Sequence, residues 1–154
     1  MKNYHSYIID TVSSLSKNQI YAEAELRGSA LCPGINGATV FYRHVRENGI
    51  FVVSTVFGLP DCNGTRCYEM HVRGGPFPPP LQRNESLNAL ASGFKRDMLN
   101  LPDICGNGGF AFSVFYTEEI ARSDLLGRTI AIFPKGTLYY KSDEALACGL
   151  ILPV

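Results

Sequence analysis

The sequence has no tryptophan, only three histidines and no formal net charge, and each of these shortages narrows what the chain can do. With 14 Lys+Arg balanced by 14 Asp+Glu and no long run of one sign, it lacks the electrostatic footprint of a nucleic-acid or anionic-membrane binder. No apolar stretch approaches the roughly 20 residues needed to cross a bilayer. The start, MKNYHSYIIDTVSSLSKNQ, has no apolar centre of the kind a signal peptide requires. Together these readings predict a cytoplasmic protein with no nucleic-acid and no membrane partner. Any multi-histidine metal centre would have to be assembled from His5, His44 and His71 alone. The five cysteines are odd in number, so at least one thiol stays outside any intramolecular pairing.

What is present is strand pattern. At 154 residues, 45% of them hydrophobic, the chain can bury roughly 68–70% of its unfolded surface without metal or disulfide support. Residues 1–18 carry Tyr4, Tyr7, Ile8 and Val12 at loose helical spacing and are read as an N-terminal arm, a possible short helix. From Ile20 the period becomes two, with Ile20, Ala22, Ala24 and Leu26 alternating with Tyr21, Glu23, Glu25 and Arg27. INGATVFYRHV follows, then the hairpin signal Asn48-Gly49, then GIFVVSTVFGL. A shorter strand, RCYEMHVR, precedes a break of about thirty-five residues beginning at GGPFPPP, a length that marks functional loops. Strand pattern resumes in GFAFSVFYT, LLGRTIAIF and ALACGLILPV. The spacing suits an antiparallel sandwich or barrel over residues 19–154 and excludes a βαβ fold. GNGG at 106–109 reads as a turn, because no Lys-Ser/Thr follows it.

Read in order, GLP (58–60), the His71-Val72 strand, GNGGFAFSV (106–114), LGRTIAIF (126–133) and LACGLI (146–151) resemble the copper/zinc superoxide dismutase family, particularly its bacterial members. The resemblance implies an all-β, eight-stranded Greek-key barrel or sandwich. It also implies a copper held by four histidines and a zinc held by three histidines and an aspartate, one histidine being shared. Six histidines are needed and the chain has three. In the resemblance's His-x-His strand, His71 keeps one ligand position while Arg73 takes the other; a shifted register would use Glu69 and His71 instead. Its zinc motif falls on DMLNLP, with Asp97 and Asn100 where a histidine and the ligand aspartate would stand. Its last copper histidine becomes Phe133, and Ala145 replaces the arginine that guides the anion. No copper or zinc is expected. Cys148 matches the family's C-terminal cysteine, but the usual partner is missing from GGPFPPP, which leaves Cys62, Cys67 or Cys105 as candidates for a disulfide with Cys148.

These substitutions point to a binding or assembly module that has lost dismutase activity, with a protein partner or a homodimer. Phe77, Pro79, Leu81, Tyr139 and Tyr140 are the candidate partner surface, or else fill the volume left by the metal loops. One alternative is a reduced metal site around His71, with Glu69 or Asp97, that performs oxidoreductase chemistry; another is docking like that of copper-chaperone domains. As a lone imidazole, His71 reads as a hydrogen-bonded barrel residue. Cys105, without a basic neighbour in sequence, reads as inert.

Overall fold

A computed structural model describes residues 20–43, 49–60, 66–74, 99–118, 120, 125–138 and 140–154. Among the described residues there are nine strands: β1 (Ile20–Gly28), β2 (Asn36–Arg43), β3 (Ile50–Phe57), β4 (Arg66–Arg73), β5 (Leu99–Asn107), β6 (Phe110–Thr117), β7 (Thr129–Pro134), β8 (Ala147–Leu150) and β9 (Leu152–Pro153). They lie in the order β2-β3-β6-β5-β4-β7-β8-β1-β9, and β1 also pairs with β2, which closes the sheet into an antiparallel barrel. β8 and β9 continue one register along β1, with Arg27 opposite Cys148 and Ala22 opposite Pro153, so the barrel has eight staves. The only regular helical element among the described residues is a 3-10 turn at Ser142–Glu144. None of their helices is long and apolar enough to cross a membrane.

Alternation decides which side chains fill the barrel. Ala22, Ala24 and Leu26 of β1 point inward, as do Ile50, Val52 and Val56 of β3, Tyr68, Met70 and Val72 of β4, and Ile130 and Ile132 of β7. All of these are buried. Two inward hydroxyls, Thr39 and Ser54, satisfy each other at 2.9 Å between cross-strand partners, which removes the cost of burying either one alone. The β5–β6 hairpin has Asn107 opposite Phe110, with Gly108 (φ 62°) and Gly109 (φ 80°) between them. Two central residues at positive φ are what a tight hairpin turn needs, and the GNGG segment supplies them as glycine.

β5 departs from the sequence reading, which took residues 99–107 as part of a long irregular connection. That reading rested on the three consecutive prolines at 78–80, and Pro102 within β5 itself cannot donate to a ladder. It sits where the β4–β5 register shifts: Tyr68 faces Ile104 but Met70 faces Leu101, so Pro102 and Asp103 bulge out of the pairing.

The outer surface is divided. On β1, Glu23, Glu25 and Arg27 face outward. On β2, β3 and β6 the outward residues form three cross-strand rows, Tyr42–Phe51–Tyr116, Val40–Val53–Val114 and Ala38–Thr55–Phe112, and beyond them Asn36 lies opposite Phe57, whose ring contacts that of Phe110. No residue in these rows is charged.

Candidate functional site

β4 sends its even-numbered residues into the barrel, so Glu69, His71 and Arg73 share its outer side. Both registers considered from the sequence therefore place these three on one face. Cross-strand pairing sets their neighbours. His71 lies opposite Asn100 on β5 and Ala131 on β7, Glu69 lies opposite Phe133, and Ala131 lies opposite Cys148 on β8. An outer-face position is normally wet, yet His71 is 4% exposed, Arg73 2% and Phe133 0%. Ala131, Phe133 and Ala145 form a second apolar cluster outside the barrel core, with Tyr140 and Cys148 packed against it.

Tyr140 is the centre of this cover. Its ring meets His71 edge-on at 4.5 Å and Phe133 at 5.3 Å, while His71 and Phe133 meet at 5.6 Å, so three rings pack in edge-to-face contacts. The Tyr140 hydroxyl donates to Glu69 Oε1 (3.2 Å), and its backbone carbonyl accepts from Arg73 Nη2 (2.5 Å). Arg73 also lays its guanidinium over the Phe133 ring, 5.2 Å from the centroid. Tyr140 has φ 47°, a conformation unfavourable for a bulky side chain. Contacts to four side chains hold it there.

The electrostatics follow from burial. Desolvation holds the His71 imidazole below its ordinary 6.5, outweighing the Asn100 hydrogen bond and the Glu69 carboxylate, which act the other way. With Asn100 Oδ1 accepting at 2.8 Å, Nδ1 carries the proton and Nε2 keeps its lone pair. Burial lowers the Arg73 guanidinium to about 9, still charged at neutral pH. The Cys148 thiol is raised by burial, which makes it a poor nucleophile. At the rim, Lys135 and Asp103 form an exposed ion pair.

A pH dependence follows. Unfolded His71 binds a proton near 6.5 and folded His71 only at lower pH, so over that interval the unfolded chain holds more protons. Its contribution to stability is complete above the unfolded value and is lost as pH falls through it toward the folded value. Urea unfolding at about pH 7.5 and about pH 5.5 is expected to show a larger loss in the native chain than in His71→Gln. Equal losses would contradict this.

The structure brings together Glu69, His71, Arg73, Asn100, Phe133, Tyr140 and Ala145 of the residues singled out from the sequence. Asp97, Cys62, Phe77, Pro79, Leu81 and Tyr139 lie outside the described residues, as do His5, His44 and the arm. Of the two readings of Tyr140, its contacts fit the packing one: the half-buried ring and hydroxyl lie against His71 and Glu69. One expectation is corrected. Cys148 does not pair with Cys67 or Cys105, because those two are joined to each other across β4 and β5, with Cα atoms 4.0 Å apart. Cys148 is a free thiol on β8, with β7 between it and β4. Two strand spacings exceed what a disulfide can bridge. The sequence reading missed how Tyr140 closes the site, and no local signal marks it. Among the described residues, no group of three or more His, Cys, Asp or Glu converges as a metal site would.

Neither a family model nor a curated protein matches the sequence.

Proposed function

We propose that this chain is a superoxide dismutase-like Greek-key barrel whose former metal face has become a packed structural cover, and that it works as a binding or assembly module without dismutase activity. The strand order supports the fold part of this reading. β4, β5 and β6 are sequential neighbours and β7 returns to lie beside β4, the spatial order of a Greek key.

The observation that carries the functional part is the chemistry beside His71. A copper–zinc pair does not fit these residues, because it needs six imidazoles and a carboxylate, whereas this face offers one imidazole hemmed in by two aromatic rings and a guanidinium. A buried cation at one ligand position repels a metal, and Phe133 at another offers no lone pair. The Cys67–Cys105 disulfide favours a non-reducing compartment over the cytoplasmic one expected from the residues alone.

One observation favours a second reading, a single ion bound by His71 and Glu69. His71 Nε2 and Glu69 Oε2 are buried without a hydrogen-bond partner among the described residues. Two donors fall short of the three protein ligands usual in catalytic zinc sites.

Elemental analysis of the untagged protein, with superoxide turnover measured on the same sample, separates the two. Substoichiometric copper and zinc without turnover fits the module. Stoichiometric metal with fast turnover overturns it. Light scattering after size exclusion tests the homodimer, which a monomer at micromolar concentration would remove.

A further inference from the structure

The barrel has one weakly closed seam. β5 meets β6 only at Gly106–Ala111 and Asn107–Phe110, next to their shared turn, so among the described residues 99–105 of β5 have ladder partners on β4 alone. That single ladder is itself interrupted at the bulge of Pro102 and Asp103. Within this stretch only Leu101 and Ile104 are buried. Asp103 adds its ion pair with Lys135, but that pair is exposed to solvent, where it contributes little. A strand held along one edge by an interrupted ladder opens before strands that are paired on both sides.

The Cys67–Cys105 disulfide stands at the end of that stretch, one residue before β6 takes up its pairing with β5. It is the covalent clamp on the part of β5 that has a single neighbour. A reagent can reach it, because Cys105 is exposed and Cys67 only half-buried. Neither free thiol among the described residues is placed to open it, since Cys148 lies beyond β7 and Cys32 lies between β1 and β2. The same stretch of β5 carries Asn100, whose Oδ1 accepts the His71 Nδ1 proton at 2.8 Å. Clamp and site therefore share one weakly held strand.

We propose that the Cys67–Cys105 bond is a redox-sensitive latch on this seam: closed, it clamps β5 to β4, and opened by an external dithiol it lets residues 99–105 separate and withdraws Asn100 from His71. The exchange takes two displacements. A thiolate of the dithiol attacks the exposed Cys105 Sγ, the bond between the two protein sulfurs breaks, and Cys67 leaves with the electron pair and takes a proton. The second thiolate of the dithiol then attacks its own partner sulfur in the mixed disulfide and frees Cys105 as a thiol. The protein disulfide is reduced and the dithiol is oxidised to a cyclic disulfide. β4 stays in the sheet through its ladder to β7, so the opening is local.

Dithiothreitol is the probe, applied to the full chain well below its urea midpoint, with the Cys67 and Cys105 thiols captured and located by mass spectrometry. Reduction is expected to rise in proportion to dithiothreitol and to be insensitive to low urea. In amide hydrogen exchange, the bonded amides of β5 are expected to stay within about tenfold of those of β1, β2 and β3 while the bond is closed, and to exchange at least about tenfold faster than them in the reduced, folded chain. The His71 imidazole signal is expected to move on reduction, whereas in Asn100→Ala it is already displaced and reduction changes it little. Four results would overturn the proposal. One is a reduction rate that levels off with dithiothreitol and climbs with urea, which marks a bond reached only by unfolding. The second is a ratio of β5 exchange to that of β1, β2 and β3 that is the same in both states. The third is a His71 signal indifferent to reduction. The last is loss of the fold in the reduced chain and in both Cys67→Ser and Cys105→Ser, which would make the bond a requirement of folding and not a latch.

Discussion

Replacing Phe133 with alanine is expected to destabilise the fold by about 3–5 kcal/mol, the range for truncating a fully buried aromatic, although this side chain lies outside the barrel core. Three consequences combine. The His71 and Tyr140 rings lose their edge-to-face partner, Arg73 loses the surface on which its guanidinium lies, and the gap falls between Ala131 and Ala145, whose short side chains cannot fill it. Tyr140, in an unfavourable backbone conformation, then has fewer contacts to hold it. Phe112→Ala on the exposed face is the control and is expected to cost less than about 1 kcal/mol. Urea unfolding of the two variants decides the matter. A Phe133→Ala loss no larger than the control would mean that the cover around His71 does not contribute to stability.

Opening the Cys67–Cys105 disulfide is expected to have an effect of similar size. The bond joins residues 38 apart in sequence, and closing a loop of that length restricts the unfolded chain by about 4 kcal/mol in the chain-entropy treatment. For a chain of this size that corresponds to a fall of about 8–16 °C in Tm. The closed loop includes the whole segment between β4 and β5, so the bond fixes both ends of the longest connection in the barrel. Thermal unfolding with and without reductant, repeated on Cys105→Ser, measures it. Reductant should lower Tm in the native chain and leave Cys105→Ser unchanged. A native chain indifferent to reductant would show that the bond is not formed in solution or contributes nothing.

Most of the barrel was legible because half-buried strands alternate. β1, β2 and β4 show the period of two, β3, β6 and β7 stand out as short apolar and β-branched runs, and two glycines at positive φ make the turn that GNGG was read as. β5 was hidden because the proline run at 78–80 made the whole connection read as irregular, and Pro102 within the strand is accommodated by the bulge opposite Tyr68–Met70. That same bulge sets the register that puts Cys67 opposite Cys105, which spacing along the chain could not reveal.

The candidate site was legible in part. His71, Arg73, Asn100 and Phe133 were singled out through a resemblance, and pairing of β4 with β5 and β7 gathers them onto one face. Tyr140 was named as partner surface or as filling for the volume left by the metal loops, without the neighbours it would pack against. Its contacts to Glu69 and Arg73 span 71 and 67 residues of sequence, and its placement depends on a backbone angle that no local pattern encodes. Burial of a charged row on the outside of a barrel is likewise a tertiary outcome. The sequence of β4 alone reads as a strand with one wet face.

The central claim is that His71 belongs to a sealed structural cover and not to a metal centre. With only three histidines in the chain, imidazole NMR of the native protein and of His71→Gln assigns the His71 signal directly. The account expects that signal to titrate below 6.5 and to stay unmoved by one equivalent of zinc or of copper(I). A one-to-one shift of the His71 signal on adding either metal, lost in Glu69→Gln, would contradict it.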